Sequence, residues 1–254
     1  EGRPFIVMEF VEGEPLSKII EHQVSLTDPE RLFLIEQLCD GLHYAHQRNI
    51  VHRDIKPANL VVREEHDGVH TARLLKILDF GIAKVVNAGQ TATGGQMMFT
   101  PNYVSPEQIR GDPVDRRSDM FAVGAVAYEL LCRQKAFVIT SKNPFTFFDE
   151  VKRKIVDEPH PPLTTVRQDI DPDLAAAVER ALAKAPQDRY TDLAEMRRAL
   201  RRVRERIELS QPDQTTIILN PKLQALMTDA RRALDPDAPV IRDDIEGKAD
   251  NHIF

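Results

Sequence analysis

Cysteine is scarce in this sequence: Cys39 and Cys132 stand far apart inside apolar helical patterns. That excludes a disulfide scaffold, suits a reducing compartment, and makes both thiols buried structural groups. Basic charge is not in excess either. With 34 Lys and Arg against 40 Asp and Glu, the net charge is -6, and broad nucleic-acid binding lacks the basic face it needs. No apolar run reaches the ~18 residues that suggest a membrane span. The most apolar stretch, MFAVGAVAYELLC (120–132), is too short and carries Glu129, so it reads as a buried helix. No signal peptide is recognisable at the front. The first residue is Glu1 rather than Met, and the expectation is that an upstream part of the natural protein precedes it.

What is present is a chain of 254 residues, 42% hydrophobic and 29% charged, enough for one or two domains. PFIVMEFV (4–11) reads as a strand that ends in a turn at Glu12–Gly13. PLSKIIEHQ reads as a short helix. Residues 27–49 read as a strong helix, capped by Thr27 or Asp28, with Leu32, Ile35, Leu38, Leu42 and Ala45 at helical spacing. NLVVRE and RLLKILDF read as two strands joined by a polar turn, EHDGVHTA, and residues 81–106 as an extended loop. Helices follow at 115–133, 144–156, 171–184 and 191–209. The last contains RRALRRVRER (197–206), whose six Arg read as a solvated face. From Ser210 the chain is Asp- and Pro-rich and is expected to be a partly disordered tail, with a short helix at 221–234.

HRDIKPANL (52–60) carries the chemistry. A carboxylate held in a tight loop, Asp54, can take a proton from an attacking hydroxyl. Lys56 can neutralise charge that develops on a transferred group. Asn59 offers a neutral oxygen and Asp79 an anionic one to a hard cation, and Mg²⁺ prefers few protein oxygens with phosphate and water completing its shell. A base, a cation and two metal ligands make a phosphoryl-transfer site.

In spacing, HRDIKPANL followed by DFG (79–81) resembles the catalytic loop and metal-binding triplet of protein kinases. SPE (105–107) stands where that family closes its activation segment, SDMFAVGAVAYEL resembles its large-lobe anchor helix, and ALAKAPQDRY its late Arg segment. DFGIAK, PEQIRG and PHPPL are similar to eukaryotic-like Ser/Thr kinases of bacteria. The resemblance spans about residues 5–205. It implies a mainly α chain of an α+β family: the hinge and large (C-terminal) lobe at 1–206, helical with a short β-hairpin near the catalytic loop, and a tail at 207–254. The small N-lobe, with its glycine-rich loop, strand Lys and helix Glu, is expected to be absent, since Lys18 and Lys84 lie in the wrong contexts.

By position, the resemblance makes Asp54 the catalytic base and Lys56 the phosphate-neutralising cation, with Asn59 and Asp79 holding Mg²⁺ (or Mn²⁺). ATP would meet Glu9 and Val11 after a gatekeeper-like Met8, with Val61 beneath the adenine. His52 and Phe80 would stack in the hydrophobic spine with Asp119 anchoring its base. Glu107 and Arg189 would form a structural ion pair. Lys56 and Thr100 point to Ser/Thr rather than Tyr acceptors. Arg53 would pair with an activation segment phosphorylated at Thr91 or Thr93. Phe99 departs from the Gly usual before that Thr, and the hairpin between Asn59 and Asp79 is longer than usual. The implied partners are proteins with Ser or Thr hydroxyls and, for autophosphorylation, a second copy. No nucleic acid and no membrane span are implied, and a cytoplasmic location is expected, any membrane segment lying elsewhere in a parent protein. Activity is expected only together with the N-lobe. Two other readings stand beside this one: a non-catalytic binding module, and a kinase-like enzyme acting on small molecules.

Overall fold

The structure, a computed structural model, describes residues 10–66, 71–79, 101–141 and 143–210. The expected strand at 4–11 and the helix at 221–234 fall wholly or mostly outside these residues.

A small antiparallel sheet opens the fold. Strand β1 (Glu14–Pro15) pairs with β2 (Leu60–His66), which pairs with β3 (Thr71–Ile77); Pro15 faces Val61, and Leu60 faces Ile77. The expected hairpin is therefore the larger part of a three-stranded sheet. Its strands take in Glu65, His66, Thr71 and Ala72, whose polar composition reads as turn. The sequence offers no signal for β1, because Glu-Pro has no strand preference and pairs only through its edge position. Gly13, just before it, has φ +139°, and a Cβ there would come within 2.7 Å of both Val61 Cγ1 and the Val62 carbonyl oxygen. The far edge of β3 is covered by one side chain. Gln37 donates to the Arg73 carbonyl (2.9 Å) and accepts from the Leu75 amide (3.0 Å), replacing a missing strand.

Helix α1 (Leu16–Glu21) follows, then α2 (Asp28–His46). The cap of α2 is Thr27: its hydroxyl accepts from the Glu30 amide, and the Glu30 carboxylate accepts from the Thr27 amide at 2.7 Å. Short α3 (Pro106–Arg110) precedes α4 (Arg116–Cys132), which is buried on nearly every side from Ser118 to Leu131. Gly124 makes one of these contacts possible, since a Cβ there would lie 3.0 Å from Ala181 Cβ. Helix α5 (Pro144–Lys152) runs into a π turn (Arg153–Asp157). Then come α6 (Leu163–Val166), α7 (Pro172–Ala181), capped by Asp171, and α8 (Leu193–Ser210). Helix α8 continues past the boundary expected at residue 206. Cys39 is fully buried but Cys132 only half so, a correction to the expectation for both; burial raises both thiols, which keeps them unreactive.

The Arg-rich face of α8 is not simply solvated. Arg204 is 3% exposed and bonds Glu36 of α2, itself 2% exposed, at 2.6 Å; Arg201 reaches the same carboxylate, Arg197 pairs with Asp40, and Arg206 with Asp171 and Asp173. The apolar stripe of the same helix, Leu193, Met196, Leu200 and Val203, is part of the hydrophobic core. Only the partner carboxylates, on elements far away in sequence, distinguish this face from an ordinary charged one.

Losing Arg204 leaves the buried Glu36 carboxylate with only the half-exposed Arg201. Arg204→Met is expected to lower stability by about 3 kcal/mol in urea denaturation, and Glu36→Leu added to it is expected to restore most of that loss.

Candidate functional site

The HRDIKPANL loop leaves α2 and ends in a 3₁₀ turn (Pro57–Asn59) that feeds β2. Its course is set from below by Asp119 on α4, a carboxylate 1% exposed. One oxygen accepts from the Arg53 amide (2.7 Å); the other accepts from the His52 amide (2.8 Å) and bonds His46 Nε2 (2.7 Å). Arg53 has φ +64°, a left-handed conformation that a non-glycine residue adopts only when its surroundings impose it. The two amide bonds supply that constraint.

His52 is fully buried and joins the loop to the strand end. Its Nδ1 accepts from the Asp54 amide (3.3 Å), so Nε2 carries the proton and donates to the Leu78 carbonyl (2.9 Å). The Leu78 amide in turn donates to the Asn59 carbonyl (2.8 Å). Leu78 is thus bound through both backbone groups, and Asp79, exposed and at φ +52°, follows directly. The resemblance implies apolar stacking of His52 with Phe80; Phe80 lies outside the described residues, and what the ring does within them is polar bridging.

The loop brings three of the expected groups together. Lys56 Nζ donates to Asp54 Oδ2 at 2.9 Å, and Asn59 Nδ2 donates to the Asp54 carbonyl (2.9 Å) and to Oδ2 (3.2 Å). Because Nδ2 is committed to Asp54, Oδ1 is the atom Asn59 can offer a cation. An amide oxygen and the Asp79 carboxylate form a hard, oxygen-only donor set that fits Mg²⁺ with its remaining ligands from phosphate and water. Arg53, Asp54 and Lys56 border a small pocket with Tyr103 and Val104.

Of the other expected residues, Val11 is half-buried and Val61 is buried against Gly13. Met8, Glu9, Thr91, Thr93 and Thr100 lie outside the described residues. Glu107 and Arg189 pair as expected, in two parallel bonds of 2.8 and 2.9 Å. Ser118 donates to Glu107 as well (2.6 Å), and Arg189 also donates to the carbonyls of Arg117 (2.7 Å) and Ala183 (2.8 Å). Burial works to raise the Glu107 carboxyl, but the bonds from Arg189 and Ser118 outweigh it and hold it at about 2.

Several contributors carry no signal in the sequence. His46 looks like one more residue on a helix face. Gln108 accepts from the Ser105 amide (3.1 Å) and donates to the Arg53 carbonyl (3.3 Å), linking α3 to the loop. Tyr103 donates to Glu129 on α4; burial, then the adjacent carboxylate, raises the phenol far above its usual range, and burial also raises Glu129 against the opposing pull of that bond. Here a signal does exist: a Glu inside an otherwise apolar run needs a polar partner, and Tyr103 is that partner.

In sequence and fold the chain is similar to known proteins. Residues 1–202 match the family described as "Protein kinase domain". Serine/threonine-protein kinase PknB of Mycobacterium tuberculosis (strain H37Rv) is 37% identical over 205 residues, covering 79% of this chain and 30% of the relative. Serine/threonine-protein kinase Pkn1 of Myxococcus xanthus is 37% identical over 201 residues, 78% of this chain and 27% of the relative. A crystal structure of the PknI kinase domain of Mycobacterium tuberculosis, a double mutant, superposes with a TM-score of 0.56 at 25% identity, covering 78% of this chain and 64% of the other. The chain thus spans about a third of the length of the curated relatives it matches.

The low Glu107 value has a definite consequence. A carboxyl depressed when folded adds stability above its unfolded value near 4.5, and that stability is lost as pH falls toward about 2. Glu107→Gln is expected to cost about 3 kcal/mol at pH 7 by denaturant titration, with the gap to the parent closing between pH 4.5 and 2.

Proposed function

Because the chain belongs to the protein kinase family, we propose that it supplies the catalytic loop and acceptor platform of a kinase that transfers the γ-phosphoryl group of ATP to Ser and Thr hydroxyls of proteins. The observation that carries this reading is the Asp54–Lys56–Asn59 cluster, drawn together on one carboxylate oxygen within a loop held by Asp119.

The residues divide the work. Asp54 accepts the proton of the acceptor hydroxyl as its oxygen attacks phosphorus. Its orientation is held by Asn59 and Lys56, and Lys56 is placed to offset charge gathering on the transferred group. Asn59 Oδ1 and Asp79 are the groups that would hold Mg²⁺, which when bound neutralises the phosphate oxygens. The Leu78 amide bond to the Asn59 carbonyl ties together the backbones that carry these two side chains. Met8, Glu9, Val11 and Val61 are assigned to adenine, and Arg53 to a phosphate on Thr91 or Thr93. Thr100 is assigned to contacts with Asp54 and Lys56.

No stretch of the sequence reads as a glycine-rich phosphate loop, and the proposal assigns that loop, with the family's strand Lys and helix Glu, to an N-lobe outside these residues. Among the described residues no helix is long and apolar enough to cross a membrane.

The test is Mg-ATP-dependent phosphate incorporation, read by intact mass, on this chain alone and with a kinase small lobe joined before Glu1. Incorporation is expected with the small lobe and to fall at least ~100-fold in Asp54→Asn. Equal incorporation by Asp54→Asn would overturn the assignment of the base. In the active form, Thr91→Ala with Thr93→Ala is expected to reduce activity, and full activity would remove the phosphorylation reading.

A further inference from the structure

Lys184, in the turn after α7, lies outside every role assigned above. Its ammonium donates to the carbonyls of Ile155 (2.6 Å) and Lys154 (3.2 Å) in the π turn that follows α5. It also sits 4.4 Å from the centre of the Phe137 ring. Phe137 stacks on Phe121 of α4 with centroids 5.5 Å apart and planes 12° apart, and Arg189 lies 5.0 Å from the Phe121 ring. Two cations therefore bracket a pair of stacked rings. The Arg189 end is fixed by Glu107, and Arg189 also donates to the Lys184 carbonyl at 3.3 Å. The Lys184 end controls Phe137, whose own carbonyl accepts from the Asn102 side chain. Asn102 precedes Tyr103 and Val104, which border the same pocket as Asp54 and Lys56.

We infer that Lys184 is a positioning residue for the acceptor protein: it clamps Phe137 to the end of α5 and, through the Phe137 carbonyl, fixes the Asn102–Ser105 segment against which the acceptor peptide is laid. This rests on the kinase reading of the site. A charge–ring contact and two charge-assisted bonds orient a backbone carbonyl that a neutral side chain would leave to fluctuate. The clamp acts on acceptor placement and leaves Asp54, Lys56 and Asn59 untouched, so it changes acceptor KM and not kcat.

The environment also makes the clamp titrate. Burial brings the Lys184 ammonium down to about 8, against Asp157, which ends the π turn, and Glu158 just after it, which favour its charge; Arg110 of α3 and Arg189 oppose it. Among the described residues His160 also meets that ring, edge-on at 6.0 Å. The ammonium is charged below about pH 8 and neutral above it, so the clamp loosens as pH rises.

The test compares the chain carrying the small lobe with its Lys184→Met, Lys184→Arg and Asn102→Ala variants. Acceptor KM at pH 7 is expected to rise about 5-fold in Lys184→Met and in Asn102→Ala, with kcat and ATP KM unchanged, and not to rise further in the double variant. In the parent, acceptor KM is expected to climb between pH 7 and 9; in Lys184→Arg, which stays charged, it stays flat. Hydrogen exchange gives a reading independent of activity: residues 101–105 are expected to exchange faster in Lys184→Met while α2 and α4 do not change. A variant that melts cooperatively with unchanged exchange at 101–105 overturns the clamp, as does a uniform rise across all helices or additive effects of the two substitutions. Loss of all phosphoryl transfer in the parent would instead overturn the kinase reading, and exchange at 101–105 would still decide the clamp.

Discussion

The buried carboxylate of Asp119 is the constraint on which the rest of the site depends. A charge 1% exposed is tolerated only when its lone pairs are filled, and here two backbone amides and an imidazole fill them. The same bonds hold Arg53 in a left-handed conformation and turn the chain so that Asp54 leaves the loop beside Lys56 and Asn59. The carboxylate stands on α4, the most deeply packed helix, so the loop inherits the position of the core. His52 passes that position onward through Leu78 to Asp79, linking Asp54 to Asp79, the residues proposed as base and metal ligand, by hydrogen bonds of 2.8–3.3 Å.

A second anchor holds the platform beside the loop. Glu107 and Arg189 join α3 to the turn after α7, and Arg189 and Lys184 close on the Phe121–Phe137 stack from its two ends. Gln108 ties this platform to the Arg53 carbonyl, so the two anchors meet at the residue before Asp54. The ion pairs of α8 with α2 act further out, fixing the helix from which the loop departs.

Features that are local in sequence, or that share a strong period, are legible from the amino-acid order alone. The Thr27 cap, the repeating Leu of α2, the apolar run of α4 and the 52–60 loop all declare themselves within a few turns of chain. The Glu107–Arg189 pair is legible only through the family resemblance, since nothing local in either segment points across 82 residues. What stays hidden is long-range and polar. His46, Gln37 and the α8 arginines each look like ordinary surface or face residues until their distant partners are known. The two-residue strand β1 is invisible for a related reason: its pairing is decided by β2 and not by its own composition.

The measurement that bears most directly on this account is amide hydrogen exchange at His52 and Arg53 in Asp119→Asn. An Asn side chain keeps the size of the carboxylate but offers one acceptor oxygen and places a donor against an amide. If the buried carboxylate sets the loop, both amides lose protection while the remainder of α2 and α4 keeps it, and phosphoryl transfer by the form carrying the small lobe falls with them. Protection at His52 and Arg53 that matches the parent would contradict the account, because the loop would then be held by something other than Asp119.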